Sequence, residues 1–344
     1  MLSLKLPVQV NIITMNLNKE LTKALIKRAV TSLVVLFLLI TFVFFLLRIS
    51  PGDPSQKFIS PQLSPELAKK VKESFNLNSP LWMQYEAFLI NLVKGNLGIS
   101  YNYRLPVTSV IEEYLPFTLI FSSISFLIQV LSGFLLALLT VKKRSGLFDK
   151  AVSKVSLAVY ATPSFVIGVI LIFFFSEKLN LFPSSGLRSF DSGSFSFFQN
   201  FEDYLSHLVL PLITLSLPGI ALFYKYLRDN FEDVYNRQFV INLRSLGFTE
   251  KEITRKHVIP NAINPLISVA GIELGILFSG ALITEVIFAL PGMGRLTINA
   301  ILTRDYPMVI GCSLVAGILI ILSNLAADII RANLDKRLIN GSLN

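Results

Sequence analysis

Few residues in this 344-residue sequence are of the kinds that carry covalent chemistry: two histidines, His207 and His257, and a single cysteine, Cys312. No HExxH pattern gathers ligands for zinc, and no Gly-Lys pair supplies the phosphate loop of an ATPase. No nucleophile stands beside a base in the manner of an intramembrane hydrolase. The sequence therefore predicts no catalytic residue, no metal ligand and no cofactor bound by the chain itself; any ATP used must be hydrolysed by another chain. More informative are the polar groups set inside long apolar runs: Glu273, Gln129 and Glu285. A charged side chain at the centre of a spanning helix costs roughly 2.5–3.5 kcal/mol on insertion scales, so such groups point to function. Glu273 reads either as a pathway residue that meets a cationic or amine-bearing substrate, or as a carboxylate kept protonated or hydrogen-bonded by a neighbouring helix. For Glu285 the alternatives to a pathway role are nearby backbone groups, Arg295 or Arg304; for Gln129 the alternative is helix packing.

These residues need a bilayer around them, and the composition supplies the reason to expect one. Apolar residues make up 53% of the chain, charged residues only 15%, and the mean hydropathy is +0.63. A soluble domain carries about a quarter charged residues. Six runs are long enough, or nearly so, to cross a hydrocarbon core as helices: roughly 29–47, 117–140, 152–175, 208–227, 264–290 and 308–330. The first follows basic residues but has no small-residue cleavage site after it, so it reads as an uncleaved span. With the N-terminus placed inside, the inner segments hold 20 of the 31 Lys and Arg, and the outer ones hold 11. The positive-inside rule then puts both termini in the cytoplasm. The net charge of +9 reads as that bias plus attraction to anionic lipid, not as a nucleic-acid footprint.

The expected organisation is an all-α polytopic membrane protein of about six transmembrane helices. It has a cytoplasmic N-terminal segment (1–28), a first span (29–47), an extracytoplasmic loop (48–116), a five-helix core (117–330) and a cytoplasmic tail (331–344). Start signals within the loop predict two short helices, one over "SPELAKKVKESF" (64–75) and one over "SPLWMQYEAFLINLVKG" (79–95). They read as a packed cap on the spans or as ligand contacts. A second outer segment, 179–207, is rich in Ser, Gly and Phe.

The most carefully punctuated polar stretch is "QFVINLRSLGFTEKEITRKHVIPNAINPL" (238–266), within a cytoplasmic loop over 228–260. A first helix is predicted over roughly 228–246, stopped by Gly247 in a left-handed conformation. Thr249 is the expected cap of a second helix. Glu252 reaches back to the cap's amide, and Phe248 and Ile253 stand at the positions of a hydrophobic staple. Pro260 is expected to end that helix. A connector with ordinary caps and a docking element fit these signals equally. A DNA-reading helix-turn-helix fits poorly, because both ends are leashed to the bilayer.

This stretch resembles the cytoplasmic "EAA" loop of binding-protein-dependent ABC importer permeases. Gly247 holds the glycine position, nine residues follow, and "HVIP" (257–260) matches the ending. The resemblance extends in order along the chain to the B-type subunit of the peptide/nickel branch. It is carried by "SPGDP" (50–54), "SPLWMQY" (79–85), "GNLGIS" (95–100), "LPFTL" (115–119), "ATPSFVIG" (161–168), "LFPSSG" (181–186), "HLVLP" (207–211), "EVIFALPGMGR" (285–295) and "RDYP" (304–307). It implies a permease in the bacterial cytoplasmic membrane that forms half of a pathway for di- or oligopeptides, with nickel or another small solute as alternative cargo. A stand-alone secondary transporter is the alternative outside the family. The implied partners are a second homologous permease, two cytoplasmic ATP-binding subunits and an extracytoplasmic substrate-binding protein, with membrane lipid around them. It also implies that Leu246, Gly247, Phe248, Thr249, Glu252, His257 and Pro260 couple the chain to the ATPase. The Glu-Ala-Ala positions read Ile241, Asn242 and Leu243 here, which moves the implied contact to the turn at Leu246, Phe248 and Thr249.

Overall fold

The computed structural model describes residues 8–49, 79–141 and 146–334. The helix expected over 64–75 lies outside them, as do the basic loop at 142–145 and the tail after 334. Apart from an isolated bridge between Ile99 and Pro106, the regular elements among the described residues are helical. In chain order they are α1 (Val8–Ile49), α2 (Leu81–Val93), α3 (Val107–Val141), α4 (Leu147–Ala161), α5 (Ser164–Leu171), α6 (Phe197–Tyr235), α7 (Gln238–Ser245), α8 (Glu250–Ile253), α9 (Ile259–Phe278), α10 (Leu282–Ile287), α11 (Met293–Leu302) and α12 (Tyr306–Leu334). Five stretches are long and apolar enough to cross a membrane, and a bent helix pair makes a sixth. The all-helical, six-span expectation therefore holds, with one span built differently from the rest.

That span is the run expected at 152–175. It is broken by 102° between α4 and the helix formed by α5 and its π-helical continuation, Ile172–Lys178. Proline disfavours helical geometry in the residue before it. Thr162, ahead of Pro163, is accordingly extended at φ −85 and ψ 126, and α5 starts afresh. The run at 208–227 belongs to a longer helix. Ser196 and Gln199 form a complete capping box that starts α6 eleven residues earlier, and α6 continues through Pro211 and Pro218. The segment before it is tied down as well: Ser189 donates through its amide and hydroxyl to Asp203, and the Gly186 amide donates to Phe288.

The centre of the bundle is the long parallel pair α3 and α6, along which Ser125 meets Ser216 and, further on, Phe134 meets Phe231, with α9 against both and α12 against α9. Glycines bring these helices close. A Cβ on Gly133 would lie 2.7 Å from Cβ of Phe223, one on Gly219 would overlap the Gln129 side chain, and one on Gly271 would overlap Ala327. Between such contacts runs a polar seam on α3. Ser122 donates to Leu277, Ser125 and Ser216 share a hydrogen bond at 2.8 Å, and Gln129 donates to Leu215 at 3.1 Å. In hydrocarbon, interhelical hydrogen bonds of this kind substitute for a hydrophobic drive that lipid does not supply.

Two ion pairs mark one end of the bundle. Arg28 of α1 pairs with Asp328 of α12. On α6, Arg228 forms a fork with the buried Asp149 of α4, at 2.7 and 2.9 Å, and also reaches Glu232 at 3.0 Å. The opposite end is organised by the fully buried Asp305. It caps α12 by accepting from the Met308 amide and accepts from Ser100 and the Asn102 amide of the turn before α3.

Breaking a buried pair leaves an uncompensated charge, whereas an exposed pair contributes little. Asp149→Asn should lower stability by about 3 kcal/mol, and Asp229→Asn, at a half-exposed site, by less than ~1 kcal/mol. Thermal unfolding of the purified variants side by side checks this, and equal effects would contradict it.

Candidate functional site

The polar hairpin lies at the end marked by the Asp149–Arg228 pair. The helix expected over 228–246 is divided: α6 ends at Tyr235, Asn236 and Arg237 make a break, and α7 begins at Gln238. Gly247 follows at φ +85, the left-handed geometry expected of it. The capping box is complete. The Thr249 hydroxyl accepts from the Glu252 amide at 3.3 Å, and Glu252 accepts from the Thr249 amide at 3.2 Å. Across the glycine, Arg244 donates to Glu250 at 2.6 Å, which raises the guanidinium pKa further, and its guanidinium also lies over the Tyr235 ring.

Pro260 does not end the second arm. The chain passes from α8 through a π-helical turn, Thr254–Val258, directly into α9, and Ile259 stays helical at φ −55 and ψ −52. A widened turn accommodates an interior proline, because the missing amide and the bulky ring fall where the ordinary ladder is already interrupted. The second arm of the hairpin and the span α9 are thus one rod.

The turn itself presents a surface. Leu246 is 73% exposed and Phe248 is 40% exposed, and Gly247 and Thr249 lie in the open beside them. The partner of Phe248 is the half-buried His257, whose ring lies edge-on at 6.3 Å, while Ile253 of the expected staple is turned fully inward. Ile253, Val240 and Val258 are 0% exposed and pack with Phe231, Val234 and Tyr235 from α6 and with Ala262 and Leu266 from α9. Tyr235 and Thr254 also share a hydrogen bond between hydroxyls. Sequence reading named Ile253 as a staple residue and did not find Val240 or Val258. Their signal was only the apolar residue types at 240 and 258 inside a polar stretch. The result is an exposed, conformationally fixed knob on an apolar stem that is continuous with the membrane helices.

The three intramembrane residues fall in different settings. Glu285 is fully buried in a cradle made by the end of α10 and the "LPGMGR" loop. It accepts from the Arg295 amide at 2.9 Å and from Thr118, whose hydroxyl in turn accepts from the Met293 amide. A Cβ on Gly292 or Gly294 would collide with its carboxylate, so both glycines are there to let the backbone close around it. The Arg295 side chain turns to the Ala289 carbonyl instead. Gln129 is also fully buried, and its Oε1 has no hydrogen-bond partner among the described residues. Both are sealed inside the chain's own packing, and neither reaches a surface. Glu273 differs: it is half-buried on α9, and no side chain among the described residues pairs with it. Gly280, at φ +112 and packed against the Gly294 backbone, breaks the expected 264–290 run between α9 and α10. No cluster of metal-ligating residues occurs among the described residues.

Two family models match the chain. One, described as binding-protein-dependent transport system inner membrane component, covers residues 103–340, and its N-terminal companion covers 21–122. The chain is 28% identical to the dipeptide transport system permease protein DppB of Lactococcus lactis subsp. cremoris, over 92% of this chain and 99% of that one. It is 30% identical to the oligopeptide transport system permease protein AppB of Bacillus subtilis, over 91% and 98% respectively. Among solved structures, a chain of the MetNI methionine ABC transporter in inward-facing conformations shares the fold. The TM-score is 0.50 at 16% identity, covering 66% of this chain and 97% of that one.

Removing an N-cap hydroxyl costs about 1 kcal/mol. Thr249→Ala should speed amide exchange at Glu252 and Ile253 by about fivefold while the α9 amides stay unchanged. Hydrogen exchange followed by mass spectrometry reads this, and unchanged exchange at 252–253 would mean that the cap does not hold the turn.

Proposed function

We propose, on the premise that this chain belongs to the family of binding-protein-dependent transport system inner membrane components, that it is the peptide-conducting permease subunit of an ATP-driven importer. As a family member it is a multi-pass protein of the inner membrane and a transport subunit. The peptide assignment rests on the dipeptide and oligopeptide permeases to which it is similar over nearly its whole length. One copy pairs with a second, homologous permease, and the two enclose the pathway. Two ATP-binding subunits dock on the cytoplasmic side, and an extracytoplasmic binding protein delivers the peptide to the opposite side. The end of the bundle that holds the hairpin, the start of α1 and the end of α12 is the cytoplasmic one, in keeping with its share of Lys and Arg.

The observation that carries this reading is the exposed turn on its buried stem. A loop that merely joined two spans would have no use for a fixed entry angle, an apolar tip at Leu246 and Phe248, or a rigid joint to α9. An ATPase groove that grips Leu246, Gly247, Phe248 and Thr249 gains leverage on α9 through the continuous rod and on α6 through the packing of Val240, Ile253 and Val258. Glu252 keeps the turn shaped, His257 supports Phe248, and Pro260 lies inside the transmitting rod. Closure of the ATPase pair on ATP then moves the spans and alternates access to the pathway. The chain takes no part in the hydrolysis. Glu273, with no side-chain partner among the described residues, faces the shared pathway. Gln129 and Glu285 hold the helices that line it.

Proline cannot adopt the φ of Gly247, and a carboxylate at position 246 puts an unpaired charge into an apolar groove. Gly247→Pro and Leu246→Glu should each abolish co-purification of the ATP-binding subunits in mild detergent, while the spans keep their helical content and thermal midpoint. Recovery of a full complex from Leu246→Glu, or isolation of the wild-type chain without any ATPase, overturns the proposal.

A further inference from the structure

At the end of the bundle opposite the hairpin, the last turn of α1 and the helix α2 enclose a cavity of about 330 Å³. Its wall includes Arg48, Phe88, Asn91, Asn96, Tyr101 and Pro307. The cavity is a product of how α2 docks. Phe44 of α1 is buried at 2% exposure and stacks on Phe88 at 5.0 Å, Tyr85 packs on Phe44 and Phe45, and Thr41 hydrogen-bonds the Tyr85 hydroxyl at 2.7 Å. On the other side, Gly98 at φ +85 brings the turn before α3 against Pro307 at the start of α12.

Arg48 lies in this wall with its guanidinium 5.4 Å from the centre of the Phe44 ring. No carboxylate among the described residues pairs with it. The acid of this region, Asp305, is fully buried and already accepts from Ser100, Asn102 and Met308. Burial pushes the Tyr101 phenol up to about 12, so it stays a neutral hydroxyl at neutral pH. A cation with no carboxylate partner among the described residues, carboxamides and a phenol around one small cavity form a set of donors that matches an oxyanion.

The depth of the cavity selects the source of that oxyanion. Arg48 is the penultimate residue of a 24-residue apolar span, Ile26–Ile49. It therefore sits where hydrocarbon gives way to headgroups. The helix α2 beside it leaves Leu81, Trp82, Met83 and Ile90 exposed, with Trp82 at 61%. That pattern belongs to a helix lying in the interface, where tryptophan concentrates.

We propose that this cavity binds the phosphodiester of a membrane phospholipid, held by the Arg48 guanidinium with Asn91, Asn96 and Tyr101 around it, the acyl chains lying along the apolar side of α2. The site is distinct from the pathway and from the hairpin, and it pins α2 and the turn before α3 to the bilayer surface.

The test uses the complete chain in its assembled complex, purified in neutral detergent and read by native mass spectrometry and thermal midpoint. The probes are phosphatidylglycerol, phosphatidylcholine, a diacylglycerol without phosphate, and inorganic phosphate. Both phospholipids should be retained and should raise the midpoint, and diacylglycerol should do neither. Arg48→Gln should weaken retention about tenfold, in line with loss of a charge-assisted bidentate contact. Should Arg48→Gln fail to assemble, Asn91→Trp fills the cavity from an exposed face of α2, leaves the Phe44 stack intact, and should abolish retention just as well. Equal retention by wild type and a correctly assembled variant overturns the proposal, as does retention of diacylglycerol. Displacement of bound lipid by millimolar inorganic phosphate would assign the site to a soluble anion and overturn the lipid assignment.

Discussion

Whatever the hairpin does depends on one packing arrangement, the burial of Val240, Ile253 and Val258 among the ends of α3, α6 and α9. A polar loop of this length has little reason of its own to hold a shape. Capping and the Arg244–Glu250 pair contribute about a kilocalorie each at exposed positions. Three fully buried aliphatic side chains contribute more, on the order of 1.5–3 kcal/mol each, and they tie the loop's shape to the shape of the bundle. The turn can then keep its apolar tip exposed, because the stem beneath it is satisfied.

The same arrangement defines a direction of transmission. The second arm is continuous with α9 through the π-helical turn, and α9 is clamped against α12 at Gly271 and Gly275. The first arm is jointed at Asn236 and Arg237, so α6 can respond through side-chain packing without being dragged along its axis. Under the proposed coupling, a displacement at the turn is delivered mainly to α9, the helix that carries Glu273. The far end of that helix breaks at Gly280 into the loop that encloses Glu285, where buried hydrogen bonds hold the geometry. The continuous rod, a carboxylate without a side-chain partner among the described residues, and the sealed cradle lie in that order along one stretch of chain.

What was legible in the sequence was local. The apolar runs, the Gly247 stop and the Thr249–Glu252 box each rest on residues within a few positions of one another, and the backbone has few ways to satisfy them. The rest depended on distance. Nothing near Asp149 predicts that Arg228, seventy-nine residues on, is its partner. Nor does the local sequence tell that Gly292 and Gly294 close the backbone around the Glu285 carboxylate. Pro260 misled for an instructive reason: the rule that proline stops a helix holds for an ordinary ladder, and here the ladder is already widened one turn earlier. The departures at Ile241, Asn242 and Leu243 also gain a structural sense, since Ile241 and Asn242 are exposed on α7 and Leu243 packs on the stem. They alter the flank of the exposed turn and leave its tip and its anchor in place.

The measurement that bears most directly on the central claim is the accessibility of position 246. The native cysteine, Cys312, is 1% exposed and silent toward a bulky reagent, so Leu246→Cys introduces a single reporter at the tip of the turn. A membrane-impermeant maleimide should label it in inside-out vesicles and not in intact cells, and assembly with the ATP-binding subunits should block the labelling. Labelling from the outer side, or labelling that the ATP-binding subunits leave unchanged, would contradict the assignment of this turn as the point where the permease is driven.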